Sequence, residues 1–190
     1  KRLGVGQIAL HCTNIFNAGR SKANDEAGIR RLTNQLGVEL VTIDVTGELL
    51  ELVHKSPHGF GKNMNPCIDC RINMLRHACS IMKTRRAQVI VTGEVLGQRP
   101  MSQRRDAMNL VDREAGVKGL VLRPLSAQLL PPTEAEQKGL VDRDALLAIT
   151  GRSRKPQMAL AAEFGMTDYN NPAGGCLLTD PAFSNRLREL

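Results

Sequence analysis

"AQVIVTG", residues 87–93, decides the fold class. It is a continuous apolar run bounded by polar chain, the pattern of a strand buried on both faces in a parallel sheet. The segment before it reads as a helix from Asp69 to about Arg85, because Ile72, Leu75, Ala78, Cys79 and Met82 keep helical spacing. A second apolar run, "GLVLRPL" (119–125), repeats the strand pattern. Toward the N-terminus, "VGQIALHCTN" (5–14) reads as a strand ending in a polar loop. Residues 21–36 read as a helix whose apolar face is Ala27, Ile29, Leu32 and Leu36, stopped by Gly37. "VELVTIDV" (38–45) is a further strand, "GELLELVHK" (47–55) a short helix, and "SPHGFGKNMNP" (56–66) a loop rich in Gly, Asn and Pro.

Strands alternating with helices predict an α/β fold with a doubly wound parallel sheet and helices on both faces. Such sheets take their ligands beyond the carboxyl ends of the strands. "CTN", "TGEVLGQRPMSQ" and "RPLSAQLLPPT" fall at those ends. After "LLPPT" the chain turns helical and basic, so a small helical C-terminal region is expected. The predicted division is 1–130 for the α/β domain and 131–190 for the extension.

The 190 residues carry a net charge of +7 and a pI near 9.5. That balance suits an anionic partner such as nucleic acid or nucleotide, or a basic, soluble surface. There is no Trp, one Tyr and four Phe, which argues against base-stacking platforms. Five cysteines, an odd number, argue against a secreted disulfide framework. With no membrane-length apolar run and no signal-peptide pattern, the chain reads as soluble and cytosolic, with reduced thiols.

Cys67 and Cys70 stand three positions apart in "NPCIDCRINML" (65–75), where a helix begins. The helix dipole, Lys62 and Arg71 would favour their thiolates, the form that binds metals. A redox dithiol, a zinc site and an iron–sulfur site all use such a pair. Zinc would want a fourth ligand that no second CxxC or close His pair provides, and His54 and His77 read as ordinary histidines. Cys176 lies in "NPAGGCLLTD", whose glycines allow a close backbone approach. CxxC plus a distant Cys suits three irons of a [4Fe–4S] cluster, with the fourth open for substrate or sulfide. Cys12 and Cys79 read as packing residues.

"GKNMNPCIDCRINML", "VTGEVLGQRPMSQRRDAM", "LVLRPLSAQLLPPT", "GRSRKPQ" and "YNNPAGGCLLTD" together resemble the tRNA thiouridine synthetase-like proteins of the PP-loop ATP pyrophosphatase superfamily, from about residue 37 to the end. The resemblance implies a Rossmann-like sheet that binds ATP with magnesium. The chemistry it implies is adenylation of a carbonyl oxygen, often of uracil in tRNA, followed by displacement of AMP by sulfur. It also implies a [4Fe–4S] cluster on Cys67, Cys70 and Cys176, which would be both metal ligands and catalytic residues. With the resemblance, Gly93, Gln98, Ser102, Gln103 and Arg123 are expected to form a nucleotide or substrate wall. Arg99, Arg104, Arg105, Arg152, Arg154 and Lys155 are expected to meet the RNA backbone.

The family's phosphate loop, Ser-Gly-Gly-x-Asp-Ser, does not occur in the sequence. "GVGQIA" (4–9) is a weak dinucleotide-loop pattern without a preceding strand. The expectation is that Lys1 follows a lost loop, so that 5–14 is the family's second strand. The loop would then come from a longer chain or a second polypeptide, and residues 1–190 alone should bind ATP weakly or not at all. Three functions stay open: part of an ATP-dependent tRNA sulfurtransferase with an unknown sulfur donor, a non-catalytic Fe–S module or subunit, and a desulfidase or amide-forming relative acting on a small molecule.

Overall fold

A computed structural model describes residues 6–16, 22–166 and 176–189. In chain order the elements are β1 (Ile8–Thr13), α1 (Lys22–Leu36), β2 (Glu39–Asp44), α2 (Thr46–His54), α3 (Cys67–Thr84), β3 (Ile90–Val91), α4 (Arg105–Glu114), β4 (Val121–Leu122), α5 (Glu134–Gln137), α6 (Lys155–Glu163) and α7 (Pro181–Arg188). Short 3-10 turns lie at Ala127–Leu129, Arg143–Ala145 and Leu177–Thr179. The chain divides into two compact units, Lys1–Pro66 with Ala162–Leu190, and Cys67–Ala161. The compositional change after residue 130 falls inside the second unit.

In the first unit β1 and β2 run parallel, in register from Ile8 opposite Glu39 to Thr13 opposite Asp44. Parallel neighbours need a crossover, and α1 supplies it. Gly37 ends α1 at φ +59°, a conformation glycine adopts without a Cβ penalty, and the Val38 N–H donates back to the Thr33 carbonyl at 2.8 Å. The packed stripe of α1 differs from the expected one. Ile29 and Leu32 are half-buried and Thr33 is buried, whereas Ala27 and Leu36 are exposed. Thr33 can be buried because its hydroxyl donates to the Ile29 carbonyl at 3.0 Å, so a polar side chain enters the stripe without an unmet hydrogen bond. α7 starts at Asp180, whose carboxylate accepts from the Phe183 N–H at 2.8 Å, with Pro181 in the first turn. The Phe183 ring meets Phe16 edge-on at 6.0 Å.

In the second unit β3 and β4 are also parallel, Ile90 opposite Val121 and Val91 opposite Leu122. The helical spacing read from α3 is the one observed. Ile68, Ile72, Leu75 and Cys79 enter a core with Ile90, Ala107, Val111, Ala115, Val117 and Val121. Ala78 and Met82 pack at its margin. The run 87–93 is corrected in extent. Only Ile90 and Val91 form the strand, and Val91 is 58% exposed while Ile90 is 8%. A strand alternates its faces, and the core formed with α3 and α4 covers only the Ile90 face, so apolar character at Val91 does not bring burial.

The expected class is the observed one. The protein is mixed α/β with parallel strand pairs flanked by helices and a helical C-terminal region, the described strands forming two two-stranded ladders. Among the described residues no helix is long and apolar enough to cross a membrane. Replacing Leu75, 2% exposed, by Ala should cost about 2–5 kcal/mol in denaturant unfolding, through lost burial and a residual cavity. Val91→Ala should stay within about 0.5 kcal/mol of wild type.

Candidate functional site

The first group of site residues starts α3. Pro66 is buried just ahead of it, and Cys67 and Cys70 lie in its first turns, both half-buried. Spacings of three and four place Cys67, Cys70 and Arg71 on one flank of the helix, beside the stripe that enters the core. Cys79 is buried in that core, as a packing residue would be, and Cys12 is half-buried on β1.

The second group is the loop between β3 and α4, at the carboxyl end of the strand. Its organising residue, Glu94, carries no periodic signal and no motif in the sequence. Glu94 is 4% exposed. One carboxylate oxygen accepts from Arg71 Nε at 2.8 Å, and the other accepts from Arg123 Nε at 2.8 Å and from the Thr92 hydroxyl at 3.2 Å. The other two nitrogens of Arg123 donate to the two Asp112 oxygens at 2.8 and 2.7 Å. Arg123, expected at the nucleotide wall, is therefore 5% exposed with its guanidinium on two carboxylates. Burial alone would raise the Glu94 pKa, but the charges of Arg71 and Arg123, with their hydrogen bonds, outweigh it and hold the carboxyl below its ordinary 4.5.

Gln103 is buried too. Its N–H donates to the Arg99 carbonyl at 3.1 Å, and its own carbonyl accepts from Gly97 N–H at 2.7 Å, which closes the loop. Its side-chain oxygen is buried without a hydrogen-bond partner. Gly93 is exposed, with open space where a Cβ would stand. Gln98 and Ser102 are half-buried and Arg99 is exposed. Arg104 pairs with Asp106 at the surface, and Arg105 donates to the Leu129 carbonyl at 2.8 Å.

The third group, "GRSRKPQ" (151–157), is tied to the second. Leu96 and Thr150 form a parallel bridge, and the Leu96 carbonyl accepts from the Gly151 N–H at 2.8 Å and the Thr150 hydroxyl at 2.9 Å. Gly97 and Gly151 both have positive φ, +76° and +88°. A Cβ on Gly97 would touch the Gly151 backbone at 3.6 Å, so both the turn and the close approach favour glycine. Ser126, fully buried, accepts from the Leu96 N–H at 3.0 Å and donates to the Ile149 carbonyl at 2.6 Å. With the Gln157 amide oxygen turned toward Gln98, it accepts from Gln98 Nε2 at 2.7 Å. The two basic segments expected to meet RNA thus leave neighbouring, mutually bonded turns of one unit. Arg99, Arg152 and Lys155 are exposed and Arg154 is half-buried.

Cys176 belongs to the first unit, and the "PAGG" before it lies outside the described residues. The thiol is half-buried. Among the bonds that hold its turn are Leu177 N–H to Phe16 O at 2.8 Å, Met64 N–H to Leu178 O at 3.2 Å, and Asn63 Nδ2 to Thr179 O at 2.7 Å. Among the described residues no three His, Cys, Asp or Glu side chains are grouped as metal ligands.

The fold is parallel α/β, with a cysteine pair at the start of α3 and polar loops at the strand ends. Residues 7–128 match the family described as Thiamine biosynthesis protein (ThiI), and the chain belongs to that family. Membership supports a role in sulfur transfer and tRNA thiolation in general, with tRNA as the substrate class. No curated protein and no solved structure matches the chain.

Because the Glu94 carboxyl is held below its ordinary value in the folded state, the unfolded chain binds more protons on acidification. The stability Glu94 contributes is complete above about pH 4.5 and is lost as pH falls below it. Glu94→Gln should cost on the order of 3 kcal/mol at neutral pH, since it leaves buried charge uncompensated. It should also flatten the acid limb of a stability–pH curve measured by urea unfolding. Glu136 should leave some acid slope in place. Burial raises its pKa, but its bonds to Thr133 and Arg143 outweigh that and lower it.

Proposed function

We propose that the chain carries the sulfur-transfer site of an ATP-dependent tRNA thiolation system, with Cys67, Cys70 and Cys176 as ligands of a [4Fe–4S] cluster. The observation that carries this reading is the half-buried Cys67–Cys70 pair on one flank of α3, within the ThiI family. Cys176 enters the reading as the third cysteine of the CxxC-plus-Cys pattern. Those three thiolates would hold such a cluster, and the chemistry it would supply is delivery of sulfide to the activated carbon.

The reaction needs a good leaving group on the carbonyl carbon. The carbonyl oxygen of uridine attacks the α-phosphorus of ATP with magnesium, and pyrophosphate leaves. Sulfur then attacks the carbon, the C–O bond breaks, and the oxygen departs on AMP. In this scheme Gly93, Gln98, Ser102 and Gln103 form the wall of the activated substrate, and Gln103 brings a buried carbonyl oxygen with its acceptor capacity unused. Arg123 acts from behind that wall by holding Glu94. Arg99, Arg104, Arg105, Arg152, Arg154 and Lys155 meet the RNA backbone from the linked turns.

Anaerobic reconstitution of wild type should give the broad visible absorbance of an iron–sulfur cluster, and Cys176→Ser should lose most of it. An unchanged spectrum in Cys176→Ser would remove the three-cysteine reading. Filter binding of bulk tRNA should weaken steeply with salt, because each neutralised phosphate releases counterions. Replacing Arg152, Arg154 and Lys155 together by Ala should weaken binding and lower the salt slope by roughly one unit for each phosphate no longer neutralised. Binding no tighter than that of an unrelated basic protein would point to a small activated molecule instead.

A further inference from the structure

Arg71 has a place that the sulfur-transfer reading does not use. It follows Cys67 by four residues, so the two are neighbours on one helix face. Its Nε is bonded to Glu94, and among the described residues no hydrogen bond engages its two terminal amino groups. The side chain is 25% exposed, whereas the carboxylate that holds it is 5% exposed. Glu94 is itself fixed from the other side by Arg123 and Thr92. A long, flexible side chain is thereby pinned at its Nε, and the free end of the fork keeps four N–H donors. The other guanidinium of the network has no such end, since Arg123 is taken up by Glu94 and Asp112.

We propose that Arg71 binds an oxyanion of the phosphate class beside the Cys67–Cys70 pair, and that Glu94 is the positioning residue that aims it. A guanidinium end with free N–H groups matches two oxygens of a phosphate or carboxylate. Within the thiolation reading, on which the identity of the natural ligand rests, that oxyanion is the phosphate of the adenylated substrate, held next to the sulfur-bearing cysteines. The binding itself needs neither a cluster nor turnover.

The test is alkylation of the reduced, metal-free full chain by iodoacetate and by iodoacetamide at one pH. Modification is followed by mass spectrometry on the peptide that holds Cys67 and Cys70. Both reagents consume the same thiolates, so the ratio of their rates cancels the thiolate fraction and reports attraction of the carboxylate probe. The ratio in the folded chain, relative to the unfolded chain, should be raised several-fold. Inorganic phosphate should suppress the iodoacetate rate and leave the iodoacetamide rate alone. Arg71→Gln should abolish the preference; loss of a charge that favours the thiolates lowers both rates together, and the ratio stays the readout.

Glu94→Asp keeps every charge but withdraws the acceptor by one methylene, so the preference should fall if aim matters. Arg71→Lys, at a partly exposed site, keeps the charge without the fork and should fall in the same way. No preference in the wild type overturns the proposal. A preference lost in Arg71→Gln but kept in Glu94→Asp and Arg71→Lys overturns the positioning role and the fork. Absence of tRNA thiolation in a separate assay would overturn the thiolation reading while leaving the alkylation result as it stands.

Discussion

The Glu94 carboxylate is the constraint on which the second unit depends. It joins the start of α3 through Arg71 to the end of β4 through Arg123, and Arg123 carries the link on to α4 through Asp112. Four separate parts of the chain are fixed by one group of two carboxylates and two guanidiniums. Such a group contributes little net stability compared with well-packed apolar residues, because desolvation offsets most of the Coulombic gain. What it supplies is direction. An apolar cluster like that of Leu75, Val111 and Val121 tolerates small rotations, whereas a bidentate Arg123–Asp112 pair and a doubly used carboxylate do not. The cysteine-bearing helix is therefore packed by its apolar stripe and oriented by its first arginine.

Much of this was legible in the sequence, and the remainder was not for identifiable reasons. α3 could be read because a helix that buries one stripe must repeat its apolar residues every three or four positions, and Ile72, Leu75 and Cys79 do. The parallel pairing followed from strands separated by helix-length segments. The extent of β3 was not legible, because an apolar run does not say how far its ladder extends or which faces are covered. Val91 looks the same in sequence as Ile90. The stripe on α1 was misread at its edges because Thr33, a polar residue, takes a buried place by bonding to its own helix backbone.

The polar network was hidden more deeply. Glu94 is a lone acidic residue in a polar stretch, and nothing in its neighbours distinguishes a buried carboxylate from a solvated one. Arg123 in "RPLSAQ" gives the same sequence signal whether it faces a phosphate or a carboxylate. The deciding residue, Asp112, is eleven positions away on α4. Gln103 was singled out for its place at a strand end, and its burial with an unused acceptor is the feature that only folded coordinates supply. The three cysteines were conspicuous because thiols at such spacing are chemically unusual.

The same network bears on how the net charge of +7 is distributed. Arg71 and Arg123 are matched in the interior by Glu94 and Asp112, and Arg104 is matched at the surface by Asp106. These pairs cancel, so the excess must sit on other cations, among which Arg99, Arg152 and Lys155 are exposed. Those three leave the two turns in which a Cβ on Gly97 would stand 3.6 Å from the Gly151 backbone. A random basic surface has no need for two adjacent left-handed glycines, a buried serine that bonds both stretches of chain, and a backbone bridge between them. Each of these restricts where the basic segments can begin. A diffuse charge would serve solubility equally well from any loop. Charge anchored in this way has a fixed origin, and the proposed contacts with a phosphate backbone would inherit that register.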